Sequence, residues 1–228
     1  LLSLKNFYKP KTYLWGLGEG KLKDYLIEIA SRTIINNDPS HDILHALRVL
    51  KNCEIIAKEE GGDIEILIPG ALFHDVVCYP KNHEKSNLST IESANLTGEI
   101  LRGVDFYPKN KIESVHSIIC ECSFSKGCKP STLESKILQD ADRLEATGCI
   151  AIMRTFASAG QMGNTFYNKN DPFCEKREPD SMNYALDLFY TRLLRVKDIM
   201  NTETAKVLAI KRTEDLEKFL DCLKGEIS

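Results

Sequence analysis

Ala71-Leu72-Phe73-His74-Asp75-Val76-Val77 places one imidazole and one carboxylate among five apolar side chains. A helix that is apolar on nearly every face is buried. A buried ionised carboxylate is costly unless it is paired or ligates a metal. Two readings stay open from these seven residues alone. In one, Asp75 accepts hydrogen bonds from its neighbours and His74 is bonded within the core. In the other, both side chains hold an ion.

Upstream, Asp38-Pro39-Ser40-His41-Asp42 reads as a loop entering a helix, with Asp42 as its cap. Apolar residues at helical spacing extend that helix to about residue 60, where Gly61-Gly62 closes it and Asp63 caps the next. That next helix is expected to reach about residue 78, with a kink or restart at Pro69. His45, Arg48 and Asn52 recur at i, i+3, i+7 and form one polar stripe. The stripe reads either as a solvated face or as a functional one, and Lys51, Lys58 and Glu59 make the better solvated face.

Downstream, Gln139-Asp140-Ala141-Asp142-Arg143-Leu144-Glu145 carries two Asp residues spaced by two. On a helix they stand roughly 200° apart and cannot both face one site. Each lies near an edge of the apolar face of Ile137, Ala141 and Leu144, so the helical wheel does not choose between them. His45, His74, Asp75 and one Asp near 140 make a mixed nitrogen and oxygen set. It suits Mn, Fe, Mg, Co or Ni, and Zn less exclusively. A six-coordinate ion so held keeps about two positions for water or a substrate oxygen.

The order His, His-Asp, Asp on helices resembles the HD-domain superfamily of metal-dependent phosphohydrolases. SHDILHALRV (40–49), ALFHDVV (71–77), CSFSKG (122–127) and LESKILQDADRLEATGCIAI (133–152) are similar to successive signatures of one bacterial subgroup of small stand-alone HD hydrolases. So are RTFASAGQMG (154–163), FYNKNDPF (166–173) and YALDLFYTRLL (184–194). The likeness spans roughly residues 22 to 222. It implies an all-α fold, a single HD-domain helical bundle with additional C-terminal helices. It also implies hydrolysis of a phosphoester or phosphoanhydride, commonly in a nucleotide, with one divalent ion as cofactor, Mn or Mg ahead of the others. The last ligand of the family precedes a basic residue, which maps to Asp142 before Arg143 and leaves Asp140 as a supporting or helix-positioning residue. The first ligand maps to His45 rather than His41. The implied set is therefore His45, His74, Asp75 and Asp142, with Asp75 also a candidate to orient or deprotonate water.

Departures narrow the family. Cys122 stands where subgroup relatives commonly carry His, so it is expected to line the site without serving a second ion. Val76-Val77 replaces the acidic pair of alarmone hydrolases. The Gly-Tyr-Pro element and Lys of cyclic-dinucleotide phosphodiesterases are absent. Leu188 stands where relatives tend to have His before Phe.

Other side chains are candidates on chemical grounds. His41 is placed to contact phosphate or shuttle a proton, or else to stabilise its turn. His116 is expected near the core or beside the site, and His83 on the surface. A phosphate needs cations beyond one metal, and Arg48, Arg143 and Arg154 are the expected suppliers because guanidinium matches phosphate in bidentate fashion. Each could instead serve a salt bridge, Arg48 to a ligand Asp, Arg143 to Glu145 or Asp140, and Arg154 to a buried carboxylate. Lys176 and Arg177, late in a loop expected over Gln161–Asp180, are candidates to close over substrate, and Asp171-Pro172-Phe173 is expected to shape that loop.

The 228 residues hold 30 Lys and Arg against 33 Asp and Glu, a net charge of −3, with 43% hydrophobic and 28% charged residues. This excludes a disordered chain and disfavours a general grip on nucleic-acid duplexes. No apolar run is long enough to cross a membrane, and the first twenty residues make a poor signal peptide. The eight cysteines are expected as reduced thiols of a cytoplasmic protein. Cys53, Cys78, Cys149 and Cys222 lie in apolar-periodic stretches and are expected as core filling. Residues 1–21 read as an N-terminal extension and 22–228 as the HD domain with its helical C-terminal extension. A helical pattern runs nearly throughout the chain, with helices expected over about 181–200 and 202–223, and the aromatic and leucine residues of 184–194 read as core packing or the face of a homodimer. The competing reading of the whole is a non-catalytic nucleotide-binding or sensing module that retains the metal site.

Overall fold

The computed structural model describes residues 19–34, 41–79, 83–122 and 127–227. Residues 1–18, the Asp38-Pro39-Ser40 loop and residues 123–126 of the CSFSKG stretch lie outside the described residues. The helices are α1 (Glu19–Thr33), α2 (Ile43–Glu60), α3 (Ile64–Phe73), α4 (Ser89–Arg102) and α5 (Ile112–Glu121). They continue as α6 (Leu133–Arg143), α7 (Gly148–Met162), α8 (Asp187–Thr191) and α9 (Glu203–Ile227). Among the described residues no strand forms, and the fold is all-α, as expected.

The starts of α2, α3 and α6 follow from their capping residues. Asp42 accepts from the His45 amide at 2.8 Å, Asp63 from Glu65 at 3.0 Å, and Thr132 from Ser135 at 3.1 Å. Each satisfies one amide that a helix leaves without an internal partner.

Helix α3 is buried from Ile66 to Phe73 and packs on α1, α2, α5 and α6. Pro69 lies inside it without ending it, so the helix does not restart there. Proline removes the amide that would reach the Glu65 carbonyl. The buried Tyr107 hydroxyl donates to that carbonyl at 2.9 Å instead. Close approach is enforced at Gly70, where a Cβ would come within 2.6 Å of the Ile118 side chain.

The helix also ends earlier than the sequence suggests, at Phe73. His74 and Asp75 therefore sit in the turn that follows it. Ser93 on α4 closes that turn by donating to the Val77 carbonyl and accepting from its amide.

Two apolar cores result. The larger is built from α1 to α6 and includes Ala205 and Ala209 near the start of α9. The smaller joins Ala151 of α7, Leu186, Phe189 and Leu193 to Leu216 and Leu220 of α9. Helix α9 thus belongs to both. The 184–194 stretch packs into the second core rather than remaining a free face, with Leu188, Tyr190 and Leu194 half-buried against it.

The single helix expected over 181–200 is broken into α8 and a 3-10 segment, Leu193–Ile199. Arg192 between them has non-helical dihedrals, φ −138° and ψ −61°. The segment before α8 pairs with the preceding loop through a parallel bridge between Thr165 and Tyr184. Asp171 shapes that loop, accepting from the amides of Glu175 and Lys176. Arg177, considered as a substrate-closing residue, instead holds Asp187 through two nitrogens. All eight cysteines are free thiols, but Cys149 and Cys222 are exposed, which corrects their expected place in the core.

Candidate metal centre

Four side chains from three places in the sequence converge. His45 projects from the first turn of α2, His74 and Asp75 from the turn closing α3, and Asp142 from the end of α6. The Nε2 atoms of His45 and His74 lie 3.3 Å apart. Asp75 Oδ2 is 3.7 Å from the first and 3.5 Å from the second. Asp142 Oδ1 is 3.6 Å and 3.8 Å from them. One ligand atom each from His45, His74 and Asp142 falls within 4.8 Å of the others.

Both imidazoles are oriented from behind. His74 Nδ1 lies 2.9 Å from the Ala71 carbonyl, which accepts its proton. His45 Nδ1 lies 3.2 Å from Glu145 Oε2. With both Nδ1 positions engaged, both Nε2 lone pairs are directed at the common point. Such outer partners fix the tautomer and raise the basicity of a ligating imidazole. Two nitrogens and two carboxylates fit a divalent ion of the Mn, Mg or Fe kind.

The charges are mutually adjusted. Burial works against a charged His74, but Asp75 and Asp142 more than offset it and lift the imidazole to about 9. Burial likewise opposes His45, and its contacts with Asp75 and Glu145 carry it upward. For Asp75 burial favours the neutral acid, yet His74, His45 and His41 hold it well below the usual carboxylate range. Asp142 is lowered against burial by His74 and His45.

Glu145 is the functional side chain that sequence reasoning passed over, having considered it only as a partner for Arg143. It is buried, with 2% of its surface exposed. Besides His45 it accepts from Arg48 Nε and Nη2, both at 2.8 Å. A signal was present, since Asp142 and Glu145 are spaced i, i+3, across the end of α6 and the 3-10 turn Leu144–Ala146.

The other expected residues are distributed unevenly. His41 stands at the rim, with Nε2 3.9 Å from Asp75 Oδ2 and its ring edge-on to His45. Cys122 is buried, and burial with the nearby Asp142 and Asp75 charges pushes its thiol up, so it remains neutral. His116 is held on the α4–α5 side by Asn95 at 3.1 Å and Cys120 at 3.7 Å. Asp140 is fully buried and binds the start of α9, accepting from Asn201 and Thr202 amides and the Thr202 hydroxyl at 2.8–3.0 Å. Arg143 donates to the Ile199 carbonyl at 2.9 Å and lies 3.4 Å from Asp140. Arg154 approaches the Glu145 carbonyl at 3.5 Å. Arg192, not singled out from the sequence, is an exposed residue whose charge is felt by both Asp142 and Arg154.

Comparison with known proteins agrees with this geometry. The family model described as "HD domain" matches residues 43–147, which include all four converging side chains. The uncharacterized protein YpgQ of Bacillus subtilis is 32% identical over 201 residues, 86% of this chain and 89% of that one. The chain belongs to the HD-domain family. A crystal structure of YpgQ in complex with ADP matches this HD-domain protein with a TM-score of 0.69 and 30% identity, over 92% of this chain and 96% of YpgQ. A Bacillus thuringiensis protein described as an HD-superfamily hydrolase matches with a TM-score of 0.70 and 28% identity, over 92% and 98% of the two chains. HD domains bind divalent metals, and His45, His74 and Asp142 form the corresponding candidate site here. Among the described residues no helix is long and apolar enough to cross a membrane.

Proposed function

We propose that this HD-domain protein hydrolyses a phosphoester or phosphoanhydride bond in a nucleotide, using one divalent ion held by His45, His74, Asp75 and Asp142. The observation that carries the reading is the convergence of two Nε2 atoms and two carboxylates on one point, each imidazole already anchored through Nδ1. An ion held by these residues would supply an acidified water and would polarise a phosphoryl oxygen. Mn or Mg suits the donors. The nucleotide class is supported by the relative YpgQ, whose structure was solved with ADP.

The chain's own residues divide the remaining work. Asp75 orients the attacking water. His41, 3.9 Å from Asp75 and part-exposed, takes the water's proton and passes it to solvent or to the leaving group. Arg154 meets the phosphates, and Arg192 joins it. Arg48 and Arg143, which the sequence also offered for substrate, serve Glu145 and the Ile199 carbonyl. Charge developing on phosphate oxygens is then balanced by a local cluster, while the chain as a whole stays mildly acidic.

The test is a nucleotide panel incubated with purified protein and Mn, with release of phosphate and pyrophosphate measured. At least one nucleotide is expected to be hydrolysed, and His74→Ala to lose that activity at least about 100-fold. Wild type and His74→Ala equally inert across the panel would refute the reading. Saturable nucleotide binding without product would move the protein to a sensing role.

A further inference from the structure

Helix α6 ends one residue after Asp142, so the last carbonyls of that helix have no partner within it. One of them is claimed from across the fold. Asn52 on α2, 3% exposed, donates from Nδ2 to the Ala141 carbonyl at 3.1 Å. Its Oδ1 accepts from Arg212 Nη2 on α9 at 3.0 Å. The other terminal nitrogen of Arg212 reaches the carbonyl of Leu144, just beyond α6, at 3.3 Å, where the Thr147 amide and hydroxyl also donate. One guanidinium and one amide therefore grip the carbonyls on either side of Asp142-Arg143, across sequence separations of 68 and 89 residues. The stem of Arg212 is itself seated. Gly148 has φ +63°, and a Cβ there would lie 3.2 Å from Arg212 Cβ.

We infer that Asn52 and Arg212 are a positioning pair for the metal centre: they set the turn that presents Asp142 to the ion and Glu145 to His45. Neither residue touches the ion or the substrate. The pair explains the third member of the polar stripe His45, Arg48, Asn52. His45 is a ligand, Arg48 holds Glu145, and Asn52 holds the turn between Asp142 and Glu145. It also makes α9 part of the site, although α9 contributes no ligand. The inference rests on the metal-centre reading and extends it to Arg212, outside the matched 43–147 segment.

The experiment is equilibrium binding of Mn to the full chain, with the visible spectrum of the Co-substituted protein as a report on ligand geometry. Wild type, Asn52→Ala, Arg212→Met, Arg212→Lys and the Asn52→Ala/Arg212→Met double variant are compared. Each single removal is expected to weaken Mn binding about tenfold and to shift the Co bands. The double variant is expected to lose little more than either single one, because the two residues act as one unit. Arg212→Lys keeps the charge and one reachable acceptor and is expected to fall between wild type and Arg212→Met. A merely structural role would lower the unfolding midpoint and leave Mn affinity and the Co spectrum unchanged in the folded fraction. That result in Arg212→Met and Asn52→Ala would overturn the inference. If Arg212→Met fails to fold, Arg212→Lys and Asn52→Ala decide by the same criterion. A wild-type protein that binds neither Mn nor Co would instead refute the metal-centre reading, and is distinguished by that.

Discussion

Glu145 decides how His45 behaves. It accepts from the ring of His45 and from Arg48 at once, in a buried setting where an unpartnered charge is costly. Glu145→Gln keeps the shape but removes the charge that holds His45 Nδ1. It is expected to weaken Mn affinity about 10- to 100-fold, read by equilibrium dialysis. His74 sets the pH dependence. Its imidazole titrates at about 9 in the ion-free protein, against an ordinary value of 6.5. Below about 9 an incoming ion must displace that proton, so apparent Mn affinity is expected to rise with pH up to about 9. Calorimetry at neutral pH in buffers of different ionisation enthalpy is expected to show at least one proton released per ion. The ion-free protein has the opposite trend in stability. The raised His74 value contributes stability that is fully present below 6.5 and is lost as pH rises through about 9. The four candidate ligands are legible in the sequence because two histidines and two aspartates recur in a fixed order among apolar residues. The choice of Asp142 over Asp140 came from family resemblance, since helical spacing allows either. Glu145 escaped because an acid beside Arg143 reads as an ordinary surface pair until Arg48, 97 residues away in sequence, is seen to meet it.

At the scale of helices, α2 was legible to within a residue because a cap, an apolar stripe and Gly61-Gly62 agree. Helix α3 was legible in existence but not in length. Apolar content alone does not separate a helical residue from a buried turn, and Ser93, which closes the turn at Val77, is remote in sequence. Its continuity through Pro69 depends on Tyr107, another remote residue. The 181–200 stretch failed for a related reason: apolar spacing did not reveal the break at Arg192 or the 3-10 segment after it. Asp140 joins two elements. Replacing it by Ala leaves the amides of buried Thr202 and exposed Asn201 without their acceptor. Asp140→Ala is expected to cost about 1–3 kcal/mol in chemical denaturation, with the loss felt at the start of α9. The same change would remove one anchor of the helix that carries Arg212.

Across the whole molecule, the metal centre lies where α2, α3 and α6 meet, and α9 ties that meeting point to the second core. All-α architecture was legible because helical periodicity runs through nearly every segment. The division into two cores sharing α9 was not, because α9 reads as one continuous amphipathic helix and its register against two partners is a tertiary property. The central claim is that one divalent ion sits among His45, His74, Asp75 and Asp142. Anomalous scattering from crystals grown with Mn tests it directly. The account predicts one strong Mn peak within bonding distance of both Nε2 atoms, Asp75 and Asp142, and its loss in His74→Ala. Absence of a peak there in wild type at saturating Mn, or a peak bonded to other residues instead, would contradict it.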